Sequence, residues 1–142
     1  MRQKLTGGCL CKSIRYEVDE VFDSGYCHCS MCRKLSGAPV LVWGVVKAPY
    51  FRLVKGTPTE YASSENGIRG FCPTCGSQLF YRNKVSDDIE INLGTLDNPE
   101  LVEPKVHVFT DNQLSWFQLS DSLPRYQDNV IPDPEYRSGN SQ

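Results

Sequence analysis

The residues best equipped for chemistry in this sequence are its seven cysteines, set as Cys9-x-Cys11, Cys27-x-Cys29-x-x-Cys32 and Cys72-x-x-Cys75. A thiolate is a soft anionic ligand, and two of them one or two residues apart can grip one metal ion from a single turn. Seven divide as four plus three. Four close a tetrahedral zinc site, and three leave one coordination place for water or substrate. The division points to two zinc ions, one structural and one placed to do chemistry. A disulfide framework is the rival reading, but an odd count leaves one thiol unpaired in any such scheme. The first eight residues carry neither the apolar stretch nor the cleavage site of a secretory signal. A cytoplasmic chain with reduced, metal-binding thiols is therefore expected.

The three clusters differ in kind. In Cys72-Pro73-Thr74-Cys75-Gly76 the two thiols occupy a tight turn between expected strands. Pro73 fixes one dihedral there, and Gly76 can take the positive φ that turns backbone N–H groups toward the sulfurs. A redox-active pair is the competing reading, but no thioredoxin-like helix follows. Cys9 and Cys11 are weaker alone, and Gly7-Gly8 just before them permits a bend that brings both sulfurs to one ion. Cys29 and Cys32 fall on one face of a helical turn, with Cys27 approaching from the segment that enters it. These three make a tripod on one metal. Cys9 and Cys11 then either share the other ion with Cys72 and Cys75 or complete the middle site; spacing allows both.

The elements that must position these ligands read mostly as strand. Residues 13–18 alternate apolar and polar side chains, as do 89–93 and 106–109. Residues 39–47 form a β-branched and aromatic run, and further strands are expected at 51–54, 59–62 and 68–71. One short helical piece spans residues 29–36, with Gly37 placed to end it. From about residue 120 onward, Pro124, Pro132 and Pro134 predict an extended tail, so residues 1–142 read as a single zinc-binding domain. The net charge of −2 counts every thiol as neutral, and ligated thiolates would make the chain more acidic still. That balance argues against nucleic acid as a partner. The longest apolar run, Val40 to Val46, is too short to span a membrane. Oligomeric state is not legible.

Together, the Cys9-x-Cys11, Cys27-His28-Cys29-Ser30-x-Cys32-Arg33-Lys34, Ser36-Gly37-Ala38 and Gly70-Phe71-Cys72-Pro73-x-Cys75-Gly76-Ser77 motifs resemble the glutathione-dependent formaldehyde-activating enzyme family. The likeness continues in order through Gly94-x-Leu96-Asp97 and Pro104-x-x-His107 to Trp116. It implies a mainly β fold, a β-tent of stacked antiparallel sheets stabilised by zinc, with one short helical turn. It also implies a structural site of Cys9, Cys11, Cys72 and Cys75, and a catalytic site of Cys27, Cys29 and Cys32. The activity implied is that of a carbon–sulfur lyase, joining formaldehyde to the thiol of glutathione. Expected partners are thus a small-molecule thiol and an aldehyde, or their adduct. Lys12 stands where the family often has glycine, a departure that touches a turn rather than a ligand.

Four further groups carry competing readings. His28, between two ligands, reads either as a proton shuttle or as a surface imidazole turned away from the metal. His107 lies in an alternating strand and is a candidate substrate contact. Arg33 and Lys34 directly follow the tripod and are candidates to receive a substrate carboxylate; as exposed charges they would serve only solubility. Trp43, Phe71, Phe80, Trp116 and Phe117 read as core. Two function classes follow. One is a zinc-dependent enzyme acting on thiol adducts; the other is a zinc-stabilised binding module, as in related β-tent proteins that serve as chaperones or chromatin-associated factors.

Overall fold

Alternation along the chain becomes two stacked sheets. The computed structural model describes residues 4–128. Strands β1 (Leu5–Gly8), β2 (Arg15–Val18) and, later in the chain, β5 (Phe51–Lys55) form a three-stranded antiparallel sheet in the order β1-β2-β5. Tyr16 and Val18 point inward from β2 while Arg15 and Glu17 are half-buried, the two-residue period of a strand with one covered face. The larger sheet contains β3 (Asp23–Cys27), β4 (Leu41–Lys47), β6 (Thr59–Ala62) and β7 (Gly67–Phe71). It is completed by β8 (Gln78–Asn83), β9 (Asp88–Asn92) and β10 (Val106–Val108), in the order β10-β3-β4-β9-β8-β7-β6. Every pairing is antiparallel except β10 against β3, which is parallel.

Strand β4 shows why the apolar run at 39–47 is needed. Trp43, Gly44, Val45 and Val46 are all buried, because the larger sheet is covered on both faces. On one face Val46 and Ile91 pack with Leu5, Tyr16 and Val18 of the smaller sheet. On the other, Val45 and Trp43 pack with Cys27, Cys29, Cys32, Val106 and Val108. The single α-helix among the described residues, α1 (Ser30–Ser36), begins at Cys29, whose sulfur accepts a hydrogen bond from the Cys32 N–H. It ends at Gly37 in the left-handed region at φ 70°, a conformation glycine adopts without steric cost.

Two strands escaped the sequence reading, and a third was expected beyond the Cys72–Cys75 turn without bounds. β1 contains Gly7-Gly8, β3 opens Asp23-Ser24-Gly25 like a turn, and β8 buries Leu79, Phe80 and Tyr81 in succession, which blurs its period. The two glycines of β1 do not supply a bend. They are regular strand residues, and a Cβ on Gly7 would lie 2.5 Å from the Tyr16 hydroxyl. Space is what they provide. Nor is Trp116 core: it is 72% exposed, whereas Trp43 and Phe80 are buried. Of the expected tail, residues 129–142 lie outside the described residues. Residues 124–126 run beside β10, with His107 N–H donating to Pro124 O at 2.9 Å and Tyr126 N–H to His107 O at 2.9 Å.

A row of polar groups crosses the larger sheet among apolar neighbours. Directly opposed residues share a face, so the partners Asp23–Val45, Val45–Glu90, Glu90–Tyr81 and Tyr81–Arg69 line up on the side of Cys27. Burial pushes the Glu90 carboxyl from its ordinary 4.5 up to about 8. The folded chain then holds a proton that the unfolded chain releases above pH 4.5. Stability should therefore fall as pH rises from about 4.5 to 8 and level off above, by on the order of 5 kcal/mol from this group. Denaturant midpoints of wild type and Glu90→Gln should diverge across that window, with the variant gaining on wild type as pH rises. Parallel curves would show that Glu90 ionises normally.

Candidate metal centres

The first cluster lies where the turns of two hairpins meet. Cys9 and Cys11 sit in the connection between β1 and β2, and Cys72 and Cys75 in the connection between β7 and β8. Their four sulfurs lie within 4.8 Å of one another. Metal–sulfur bonds of about 2.3 Å define a tetrahedron with edges of about 3.8 Å. The Cys9–Cys11 and Cys11–Cys72 sulfur separations are 3.6 and 3.8 Å, so this donor set fits a tetrahedral thiolophilic ion such as zinc.

Backbone geometry is already arranged around these sulfurs. Thr74 and Cys75 donate N–H groups to Cys72 Sγ at 3.3 and 3.4 Å, made possible by Gly76 at φ 79°. Ile14 N–H donates to Cys9 Sγ at 3.3 Å. On the Cys11 side the positive φ belongs to Lys12, at 68°. The residue in the position where the family often has glycine thus holds a conformation that favours glycine. Two hydroxyls that the sequence reading did not single out also belong here. Ser13 Oγ lies 3.0 Å from Cys11 Sγ and 3.3 Å from Cys72 Sγ, and Ser77 Oγ lies 3.2 Å from Cys75 Sγ. The Ser77 hydroxyl helps hold the Cys75 thiol down to about 5, and the Ser13 hydroxyl with the Cys75 N–H holds Cys72 down to about 7.

The second cluster is buried and local. Cys27 ends β3, Cys29 caps α1, and Cys32 lies in the first turn of that helix. All three sulfurs lie within 4.8 Å of one another, and among the described residues no fourth Cys, His, Asp or Glu joins them. Three soft donors converging from one turn again fit zinc. Cys29 ionises first, drawn down to about 3 by hydrogen bonds from the Cys27 and Cys32 thiols and from the Cys32 and Met31 N–H groups. Cys27 is pushed well up by its contacts with Cys29 and Cys32 and by burial. Cys32 is pulled down by Cys27 but pushed up more by Cys29 and burial, to about 12.

His28 is not a surface imidazole. It is fully buried, and its Nε2 lies 2.8 Å from His107 Nδ1; His107, also fully buried, places Nε2 3.0 Å from Asp121 Oδ2. The carboxylate accepts from His107 Nε2–H, so a neutral His107 accepts at Nδ1 from His28 Nε2–H. The chain of bonds leaves His28 Nδ1 buried without a hydrogen-bond partner. Burial, with His107 and Arg125 adding, lowers His28 to about 4, so it is neutral at pH 7. His107 is engaged at both ring nitrogens and presents neither to a ligand from solvent, because its strand lies between β3 and residues 124–126. Arg33 is half-buried and Lys34 exposed on the last turn of α1.

The charged residue that does reach the tripod is Arg69, which sequence reading missed. It is 4% exposed on β7, with Nη1 3.6 Å from Cys32 Sγ, Nε donating to Ser63 Oγ at 3.1 Å, and its guanidinium 4.5 Å from the Tyr81 ring centroid. An arginine in a short strand reads as an outward-facing residue, and only the sheet register shows otherwise. A cavity of about 420 Å³ opens between the end of α1 and the Gly76–Ser77 turn. Leu35, Ser36, Leu41, Gln78 and Asn92 line both it and a small enclosed space of about 10 Å³ that Arg69 and Phe80 also line. Neither Arg33 nor Lys34 lines either space.

A family model described as glutathione-dependent formaldehyde-activating enzyme matches residues 4–112. A Schizosaccharomyces pombe protein named an uncharacterized lyase is 32% identical over 76 residues, covering 53% of this chain and 55% of that protein. The chain thus spans about half the length of this curated relative. A Rhodobacter sphaeroides protein of known crystal structure superposes with a TM-score of 0.58 at 25% identity, covering 70% of this chain and 96% of that one.

Two outcomes are expected. Cys72→Ser should lose one metal equivalent and much of the fold, since structural zinc contributes roughly 10 kcal/mol or more in small zinc domains; metal analysis and a melting curve check this, and an unchanged melting temperature would refute it. Loading the second cluster near pH 7 should release about two protons, from Cys27 and Cys32, because Cys29 is already ionised. Calorimetry in buffers of different ionisation enthalpy reads that number directly, and affinity should rise with pH. Release of no protons would contradict the assignment of charge.

Proposed function

The chain belongs to the glutathione-dependent formaldehyde-activating enzyme family, and on that premise we propose that it is a carbon–sulfur lyase. It makes and breaks adducts between a small thiol and an aldehyde, resembling S-(hydroxymethyl)glutathione synthase. The lyase name of the yeast relative supports the reaction class. One observation carries the reading: three buried cysteines converge without a fourth protein donor among the described residues. A purely structural site gains from closing its shell with protein ligands.

In this reading Cys9, Cys11, Cys72 and Cys75 hold a structural zinc, and Cys27, Cys29 and Cys32 hold a catalytic one. A zinc ion at the tripod supplies the positive charge that stabilises a substrate thiol as thiolate at neutral pH. The chain itself does the rest. The cavity beside Leu35 and Gln78 admits the substrates, and Trp43, Val45, Val106 and Val108 keep the reacting end away from bulk water. The thiolate lone pair attacks the carbonyl carbon and forms the C–S bond. The carbonyl π pair moves to oxygen, which takes a proton; the reverse sequence releases thiol and aldehyde. Neutral His28, tied through His107 to Asp121, fixes the peptide between Cys27 and Cys29 and with it the spacing of two ligands. Arg33 and Lys34 do not line the cavity, but on the last turn of α1, beside the lining residue Leu35, they suit the carboxylates of a thiol such as glutathione.

Cobalt-substituted protein tests the proposal. Glutathione should change the cobalt absorption bands, more tightly as pH rises toward the thiol's own pKa, because entry releases a proton. S-methylglutathione should leave them nearly unchanged. Cys32→Ser should lose adduct-forming activity by far more than it loses melting temperature, because the tripod is built from one local turn. If no thiol perturbs the cobalt spectrum, the chain is better read as a zinc-stabilised binding module.

A further inference from the structure

The buried guanidinium of Arg69 lines the small space that shares five residues with the cavity, and the carbon–sulfur chemistry leaves it without a role. Arg69 lies on the far strand of the β7–β8 hairpin, yet the sheet register delivers it to the tripod, 3.6 Å from Cys32 Sγ. Burying a cation costs several kcal/mol unless the surroundings return it, so a 4% exposed arginine needs a reason beyond solubility. It is held on three sides: Ser63 Oγ accepts from Nε, the Tyr81 ring lies against the guanidinium, and Cys32 Sγ meets Nη1. Its position is thus set before any ligand arrives. Arg69 also lines the small enclosed space of about 10 Å³, whose remaining lining residues Leu35, Ser36, Leu41, Gln78, Phe80 and Asn92 are uncharged. That volume is about what one water-sized group needs.

We propose that Arg69 is a catalytic residue of this site, donating hydrogen bonds to the oxygen that gains charge when the carbon–sulfur bond forms. The inference rests on the lyase reading and adds the group that answers its charge flow. As the thiolate lone pair forms the C–S bond, the carbonyl π pair becomes an oxygen lone pair one carbon away from the sulfur. A substrate sulfur beside Cys32 Sγ brings that oxygen near the guanidinium, whose Nη1 lies 3.6 Å from the cysteine sulfur. The guanidinium receives the negative charge there through fixed N–H donors and gives up no proton of its own; the oxygen takes its proton from water. In the reverse direction the same donors hold the alkoxide as the C–S bond breaks and the electron pair returns to sulfur. Fixed donors aimed at a developing oxyanion typically contribute about 10²–10³ in rate.

The test compares two thiols on the cobalt-substituted full chain. Mercaptoacetate carries an anionic oxygen close to its sulfur, while ethanethiol carries none. Wild type should take mercaptoacetate into the cobalt shell about tenfold more tightly, the scale of one charge-assisted hydrogen bond. Arg69→Gln should lose that preference while retaining two metals and ethanethiol binding, and Arg69→Lys should keep part of it. The rate of adduct exchange in Arg69→Gln should fall by about 10²–10³ with the thiol KM little changed. If Arg69 merely balanced the charge of the thiolates, its loss would shift both thiols equally. An intact preference in metal-loaded Arg69→Gln overturns the proposal, as does wild type showing no preference. Should Arg69→Gln lose its fold or second metal, wild type and Arg69→Lys decide: equal binding of both thiols by either one counts against it. Entry of neither thiol into wild type is a separate outcome, which overturns the lyase reading itself.

Discussion

One contact depends on both sheets at once: the meeting of the β1–β2 turn with the β7–β8 turn at four sulfurs. A metal there ties together residues 61 apart, Cys11 and Cys72. The apolar layer below it, with Ile14, Leu79 and Phe80 packed against Cys9 and Cys72, is continuous with the cluster. Remove the tie and the small sheet keeps its packing on Val46 and Ile91 and the bonds of Thr6 and Arg15 to Asp97. For a chain of 142 residues such packing is modest. Position of the outer cavity follows from the same tie, since Gly76 and Ser77 form part of its wall.

The two clusters answer different needs. The four-cysteine set has an exposed member, Cys11, and takes its geometry from two turns. The tripod is wholly buried and takes its geometry from one turn, backed by a histidine pair on one side and an arginine on the other. Hydrogen bonds to backbone and hydroxyl groups hold thiols ionised in the first; in the second the thiols themselves compete for one charge. An arginine is well matched to that second setting, because it stays protonated even when buried.

How much of this was legible depended on whether the signal was local. Cysteine spacing, the Gly37 helix end and the alternating strands at 13–18, 89–93 and 106–109 are written within a few residues of each other. Strand β3 was not legible, because Asp23, Ser24 and Gly25 are turn formers whose burial is imposed by β4 and β10 on either side. Arg69 was not legible for the same reason: its environment is set by Tyr81 and Cys32, both distant in sequence. His28 looked exposed because its neighbours are ligands, but the parallel strand β10 arrives 79 residues later with His107 to cover it. Trp116 shows the converse error, a large aromatic that no element covers among the described residues.

The difference in span between the clusters also sets an order of assembly. Three thiols within six residues can capture an ion from a barely structured chain, since almost no loop has to be closed. The other four meet only after the strands between residues 15 and 71 have found their partners. During synthesis the tripod emerges well before Cys72 and Cys75 exist, and it would then compete with Cys9 and Cys11 for the first ion. With an ion at each cluster, maturation would be ordered: one captured early would mark the turn from which β3, α1 and β4 can grow, and a later one would lock two finished sheets together. A chain left without metal would lack the tie at Cys9, Cys11, Cys72 and Cys75 that joins the two sheets.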